Sequence, residues 1–193
     1  ALETLAPHQV AALGLARTFQ TSRIFKRMTV LEHLMVGQHL HQRAGLWAAI
    51  GRPAWVGREE AAVRERGLKT LALFEERLLP RIHDSADTLS YANRRRLEIA
   101  RALVAEPRLL LLDEPTAGMN PHESQGIVQL IKKIQDLGIT VLLIEHDMKV
   151  IMGVSDRIVV LDHGEKIAEG LPEDIRRNEE VIQAYMGGRR GHA

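Results

Sequence analysis

The spacing of apolar residues changes character twice along this chain. Residues 1–28 hold short apolar segments, and the one at 14–19 is typical of a strand. Between residues 29 and 105 apolar side chains recur every three or four positions, which is typical of helices. From residue 106 onward, strand-length apolar runs alternate with helical stretches, as a parallel sheet flanked by helices requires. The pattern predicts an α/β fold in which a helical subdomain, 29–105, separates two parts of the core, 1–28 and 106–193.

Caps and chain breakers predict the individual helices and strands. Thr29 is placed to cap a helix that carries Val30, Leu34 and Leu40. A long charged helix is predicted from Arg58 to Leu78, because apolar residues there recur at helical spacing. The remaining predictions are a short interrupted helix and turn at 44–55, a helix from Pro121 that ends at Gly138, strands at 139–144, 157–161 and 166–169, and terminal helices after residue 170.

The most informative stretch runs from Leu109 to Pro115, four leucines followed by two adjacent carboxylates and a proline. The leucines suit a strand that is buried on both faces, which would deliver Asp113 and Glu114 to the carboxyl edge of a parallel sheet, where ligands bind. There Asp113 is suited to hold Mg²⁺, usually through water, and Glu114 to orient or deprotonate the water that attacks a terminal phosphate. Taken alone, the stretch is also compatible with a buried strand that merely has a charged end.

Two further segments carry residues suited to binding or reacting with a phosphate. Ser90 and Asn93 are candidate caps of a helix that starts in the loop 89–93, and the amino end of a helix attracts anions. The strand at 139–144 is followed by His146, which places this imidazole near the carboxyl edge that holds the two acids. A lone histidine is usually a core or surface residue, but its position after a strand favours a functional role here.

The order of these segments resembles one family, the ATP-binding subunits of ABC transporters. The matches are Gln20 with the Q-loop, 89–93 with the signature loop, 109–114 with the Walker B motif, 117–121 with the D-loop, and His146 with the switch histidine. Within the family, segments 17–20, 97–101 and 144–148 are most similar to the importers of branched-chain amino acids. The resemblance runs from residue 5 to 187 and implies a P-loop-type, RecA-like sheet core with an inserted helical subdomain.

The resemblance also implies that ATP and Mg²⁺ are bound between two ATP-binding subunits that face head to tail. It implies that the signature-loop residues bind the γ-phosphate held by the partner subunit; these are Ser90, Tyr91, Ala92 and Asn93. Asp113 and Gln20 are the implied Mg²⁺ ligands, and Glu114 is the implied catalytic base, assisted by His146 and Gln20. For Asn120 the resemblance implies a role in communication between the two subunits. Permease subunits are the implied membrane partners. The chain is then expected to lie peripherally on the cytoplasmic face of the inner (plasma) membrane.

Two departures from the family pattern stand out. Ala92 and Asn93 occupy positions where many ABC proteins have Gly and Gln, so a methyl group must fit where backbone approaches phosphate. In addition, the 193 residues contain no Gly-x-x-x-x-Gly-Lys-Ser/Thr run, the P-loop that cradles phosphates. We expect that the chain is the carboxyl-terminal portion of a longer protein, or that its first segment was removed or is disordered. On either interpretation, the 193 residues alone should hold ATP poorly.

Composition narrows the classes of function. Twenty-six basic and twenty-five acidic residues leave a formal charge of +1, which gives no strong attraction to nucleic acid, and we expect no nucleic-acid partner. Cysteine is absent, which excludes disulfides and thiolate metal sites within these residues. Two other functions stay open on the sequence alone. One is a non-catalytic module that completes a partner's ATPase site, and the other is the ATPase of a lipid or urea ABC transporter.

Overall fold

The computed structural model describes residues 2–19, 24–39, 54–74 and 76–187. The predicted interrupted helix at 44–55 lies outside these ranges except for its last two residues, and Gln20 and Leu40 also lie outside them. The chain divides into two compact units, residues 1–144 and 145–193. The proposed boundaries at residues 28 and 105 concern the first unit and stay a prediction.

The first unit contains a sheet and five helices in its described residues. These are α1 (Pro7–Ala12), β1 (Leu15–Arg17), α2 (Val30–Gly37), α3 (Ala54–Ala72), α4 (Tyr91–Leu103), β2 (Leu109–Asp113), α5 (Pro121–Asp136) and β3 (Thr140–Ile144), with 3₁₀ turns at Leu2–Thr4, Leu79–Arg81 and Ala86–Thr88. Parallel strands connected through helices confirm the predicted α/β fold.

The sheet has the strand order β1-β2-β3, so β2 is the central strand. Leu110 and Leu112 of β2 are completely buried, whereas the side chains that alternate with them are partly exposed. On β3, Leu142 and Ile144 are each more than half exposed. The expectation of a strand buried on both faces is therefore only partly right for β2. The reason is that alternate side chains of a strand point to opposite faces, and one face of this sheet is open in the described part of the chain.

In the helical region, helix α2 starts where the sequence predicts, whereas helix α3 starts and ends at other residues than predicted. Thr29 caps α2: its hydroxyl accepts the Glu32 amide at 3.2 Å, while the Glu32 carboxylate accepts the Thr29 amide at 2.7 Å. The long helix α3 begins earlier than predicted and ends at Ala72 rather than Leu78. Phe74 and Leu78 are buried nevertheless, because successive turns with short-range amide–carbonyl bonds replace the helix there. Turns of this kind preserve the three-to-four residue spacing that predicted a longer helix.

Helices α2, α3 and α4 pack closely against one another. A methyl group at Gly37 would lie 2.6 Å from the Arg101 carbonyl oxygen, so only glycine allows this approach of α2 to α4. The buried Gln38 amide donates to the Val63 carbonyl at 2.8 Å and accepts from Arg66 Nε at 2.9 Å, which ties α2 to α3. These contacts fix the helix that carries the signature loop relative to its neighbours.

His33 is a fully buried histidine on α2 with both ring nitrogens in use. Nδ1 donates to the Thr29 carbonyl at 2.8 Å, so Nε2, which accepts the Phe25 amide at 3.0 Å, must carry no proton. Burial lowers the pKa of His33 most, and the charge of Arg101 lowers it further, while the Thr29 carbonyl and Glu32 act in the opposite direction. The ring is therefore neutral in the folded protein at neutral pH.

This histidine should make the protein less stable in weak acid. Because the folded pKa lies below the unfolded value of about 6.5, the stabilising contribution is complete above that pH and declines as pH falls below it, by at most about 1.4 kcal/mol per pH unit. Urea unfolding at a series of pH values measures the slope. His33→Gln should flatten the slope, and His8→Gln, at an exposed position, should keep it. An unchanged slope in His33→Gln would contradict this assignment.

The second unit is a hairpin with three helices in its described residues. Its elements are α6 (Met148–Val154), β4 (Ile158–Asp162), β5 (Glu165–Gly170), α7 (Pro172–Arg177) and α8 (Glu179–Gly187). The antiparallel strands β4 and β5 join through His163 and Gly164, both at positive φ, as a tight hairpin turn requires. Ile158, Ile175 and Val181 form the core of this unit.

Candidate functional site

The predicted acid pair lies at the carboxyl end of the central strand of the sheet. Asp113 is the last residue of β2, and Glu114 follows it with a φ of 43°, in the left-handed region that non-glycine residues rarely adopt. The Glu114 amide donates to the Ile144 carbonyl of β3 at 2.9 Å, which holds this backbone in place. Such strained, held conformations cluster at functional sites, and here one turns the chain out of the sheet directly after the first acid.

Asp113 is fixed by the end of the neighbouring strand β1. Its Oδ2 accepts a hydrogen bond from Arg17 Nη2 at 3.1 Å, and its amide donates to the Thr18 hydroxyl at 3.4 Å. The Arg17 side chain is about half exposed, so the ion pair contributes little stability and acts mainly by orienting the carboxylate. Sequence reasoning missed Arg17, although its place just before Gln20 in a matched motif was a signal.

The carboxyl edge of the sheet offers an oxygen donor of the kind that Mg²⁺ binds. Mg²⁺ in nucleotide sites takes one or two protein carboxylates and completes its shell with phosphate oxygens and water. Oδ1 of Asp113 makes no hydrogen bond within the described ranges, so this hard oxygen donor is available. No cluster of three or more potential metal-ligating side chains occurs among the described residues. The residues present therefore fit a magnesium ion shared with a phosphate ligand, and Asp113 is the residue that would hold it.

The signature loop has the geometry of a capped helix start. Ser90 is the N-cap of α4, and its hydroxyl oxygen accepts the Asn93 amide at 3.3 Å. A serine hydroxyl that accepts one hydrogen bond can still donate its own proton to a phosphate oxygen. Tyr91 is about half exposed, Ala92 is buried, and the Asn93 side-chain oxygen accepts from Arg96 Nη1 at 3.2 Å. Of the two candidate caps, Ser90 is confirmed and Asn93 is not the cap, and the binding roles of these four residues stay a prediction.

The D-loop segment packs beside the signature loop within the same chain. Gly118 has a φ of 73°, and a methyl group there would lie 3.6 Å from the ring of Tyr91. Asn120 caps α5: its side-chain oxygen accepts the Glu123 amide at 2.9 Å, and its own amide donates to the Glu123 carboxylate at 3.1 Å. The structure thus gives Asn120 a structural task, and its role in communication stays a prediction.

A hydrogen bond joins α4 to the segment that follows β1. Arg95 of α4 is almost fully buried, and its Nη1 donates to the Phe19 carbonyl at 2.7 Å and to Glu98 Oε2 at 3.1 Å. Within the described residues, neither Ser90 nor Asn93 shares a hydrogen bond with Asp113.

The remaining predicted residues are placed as follows. Gln20 lies outside the described residues. His146 belongs to the second unit, its side chain is 74% exposed, and its amide donates to the Glu145 carboxylate at 3.2 Å. The predicted meeting of Gln20, the acid pair and His146 around one triphosphate stays a prediction.

Comparison with known proteins assigns the family. The family model described as ABC transporter matches residues 6–117, and a second one, branched-chain amino acid ATP-binding cassette transporter, matches residues 165–190. The chain belongs to the ABC transporter family, among its ATP-binding proteins. This confirms the resemblance drawn from the five motifs. Within the described residues no helix is long and apolar enough to cross a membrane.

The chain is similar in sequence to ATP-binding proteins of several transport systems. The chain is 43% identical over 187 residues to the high-affinity branched-chain amino acid transport ATP-binding protein LivG of Salmonella typhimurium, covering 96% of this chain and 72% of LivG. It is 44% identical to the corresponding protein BraF of Pseudomonas aeruginosa, with the same coverage of both chains. Identity is lower, 32% over 187 residues, to the lipopolysaccharide export system ATP-binding protein LptB of Haemophilus influenzae, covering 96% of this chain and 70% of LptB.

The fold agrees with solved structures of the family. One, titled the ADP conformation of an ATP-binding cassette of an ABC transporter, superimposes with a TM-score of 0.76 at 30% sequence identity. The match covers 94% of this chain and 71% of the solved one. The P-loop-type α/β fold predicted from the sequence is therefore confirmed.

Proposed function

We propose that this chain forms part of the ATPase subunit of an importer of branched-chain amino acids. The observation that carries the proposal is the acid pair at the carboxyl end of β2, with Asp113 oriented by Arg17 and Glu114 held in a left-handed turn. The identities of 43% and 44% to LivG and BraF, against 32% to LptB, favour amino-acid uptake over lipid export.

In the proposed mechanism, Glu114 accepts a proton from the water that attacks the γ-phosphate of ATP. Asp113 would hold a magnesium ion, which would supply positive charge against the phosphates. Gln20 would be a second ligand of that ion and would position the water. His146 donates a hydrogen bond to the γ-phosphate and stabilises the charge that develops in the transition state.

The signature loop acts on the nucleotide of a second ATP-binding subunit. Ser90 donates its hydroxyl proton to that γ-phosphate while it accepts the Asn93 amide, and the first free amides of α4, at Tyr91 and Ala92, add the positive end of the helix dipole. Asn120, at the start of α5, links the two halves of the dimer.

ATP binding closes the two subunits and hydrolysis reopens them, which moves the helical subdomain against the permease. On this proposal the protein is peripheral, bound to permease subunits at the cytoplasmic face of the inner membrane.

The alternative function is a non-catalytic module that completes the ATPase site of a partner. It would use Ser90 but not Glu114, so loss of the Glu114 carboxylate would leave its effect on a partner unchanged.

Uptake of radiolabelled leucine tests the substrate assignment. Membrane vesicles that contain the full-length protein, its permease and its binding protein should accumulate leucine only when ATP is supplied inside. Urea uptake in the same vesicles is the matched control and should stay at background. Accumulation of urea without leucine would reject branched-chain amino acids as the substrate class while leaving the ATPase assignment intact.

A further inference from the structure

A polar cleft of about 390 Å³ lies in the first unit where residues 73, 74, 76 and 77 meet α4 and α5, and neither member of the acid pair lines it. Its lining includes the cationic side chains Arg77, Arg96 and Lys133, the amides of Gln125 and Gln129, and one carboxylate, Glu76. These side chains give the described part of the lining an excess of positive charge.

Arg96 is the central group of this cleft. Its side chain is 7% exposed, and Nη1 donates to the Asn93 side-chain oxygen at 3.2 Å. Nη2 lies 2.9 Å from where a methyl group at Gly126 would stand, so the glycine in α5 leaves room for the guanidinium. No carboxylate of the described residues lies within ion-pair distance of Arg96 or Arg77.

The electrostatics of the cleft are unbalanced. Burial lowers the pKa of Arg96 first, the positive charge of Arg77 lowers it further, and Glu123 at the start of α5 partly offsets both effects. Burying a guanidinium without a paired anion is costly, and a second cation nearby adds to that cost. An anion in the cleft would relieve both penalties.

We propose that this cleft binds a small phosphate-bearing anion, with Arg96 and Arg77 as the principal donors and Lys133 beside them. Guanidinium groups present parallel N–H donors that match phosphate oxygens, and the amides of Gln125 and Gln129 supply further neutral donors. A bound anion would join Arg77, in the turns that follow α3, to α4 and α5. The site is distinct from the residues assigned to nucleotide chemistry, apart from Asn93, which orients Arg96.

Titration calorimetry of the purified protein with inorganic pyrophosphate tests the site. Arg77→Gln and Lys133→Gln change exposed side chains of the lining, and each should weaken pyrophosphate binding about tenfold, the effect of removing one charge-assisted contact. Lys132→Gln removes the same charge from the adjacent, exposed position of α5 that does not line the cleft, and it should leave the affinity unchanged. Arg96→Lys, which keeps the charge but loses the paired donors, should also weaken binding.

Three results would overturn the proposal. The first is the absence of pyrophosphate binding to the unmodified protein. The second is equal weakening in Lys132→Gln and Lys133→Gln, which would indicate attraction to surface charge in general. The third is a loss in Ser90→Ala with none in Arg77→Gln, which would place the pyrophosphate at the signature loop. That third result would support the proposed function, so the two hypotheses fail separately.

Discussion

Replacing Glu114 with glutamine should lower ATP turnover by the full-length protein at least about a hundredfold, the range expected when a general base is lost. Glutamine has nearly the same shape and keeps the backbone conformation at a φ of 43°, but its amide cannot accept a proton from water. The chemical step should slow while ATP binding persists. Phosphate release under saturating Mg-ATP measures the turnover, and equilibrium binding of labelled ATP measures the affinity.

Glu173→Gln is a suitable control, because this carboxylate is exposed on α7 and belongs to none of the matched motifs. Its turnover should equal that of the unmodified protein. Near-normal turnover in Glu114→Gln would remove Glu114 from its proposed role and leave the non-catalytic module as the better hypothesis. A loss of ATP binding together with turnover would instead assign the carboxylate to ligand binding.

Replacing Leu112 with alanine should destabilise the protein by about 2–5 kcal/mol, the usual cost of truncating a buried leucine. Leu112 is completely buried on the central strand, one residue before Asp113, so the cavity would form in the strand that carries the first acid. Urea unfolding measures the free-energy difference from the shift of the midpoint at constant slope.

Leu142→Ala makes the same chemical change on the neighbouring strand. Leu142 pairs in register with Leu111 but is 52% exposed, so the expected cost is under about 1 kcal/mol. Equal costs at the two positions would mean that the face of β3 carrying Leu142 is covered in solution.

Local signals in the sequence predicted helix starts better than helix ends. Thr29 and Asn120 cap helices through reciprocal bonds with a glutamate three residues later, and that spacing is visible in the sequence. The end of α3 was mispredicted because Phe74 and Leu78 are buried by turns that mimic helical spacing. A periodic pattern reports which side chains are buried and does not report which backbone hydrogen bonds bury them.

At the site, the sequence predicted residue types and order but not the contacts between distant segments. Four leucines and two carboxylates predicted that the acid pair lies at the end of a strand, whereas its role in catalysis stays a prediction. The bond from Arg17 to Asp113 spans 96 positions and depends on the register of β1 against β2, which no local pattern specifies. The cleft around Arg96 could not be predicted either, because it forms between segments that are distant in the sequence. Nothing in the run of three arginines at 94–96 shows which of them lines the cleft.

The short segment 17–19 is clamped from two sides, by the carboxylate of Asp113 through Arg17 and by Arg95 through the Phe19 carbonyl. These two contacts join α4 to the carboxylate of Asp113 through three residues of backbone, so on the proposed function a shift of α4 should also shift Asp113. Loss of either contact should then uncouple the position of this helix from that of the carboxylate.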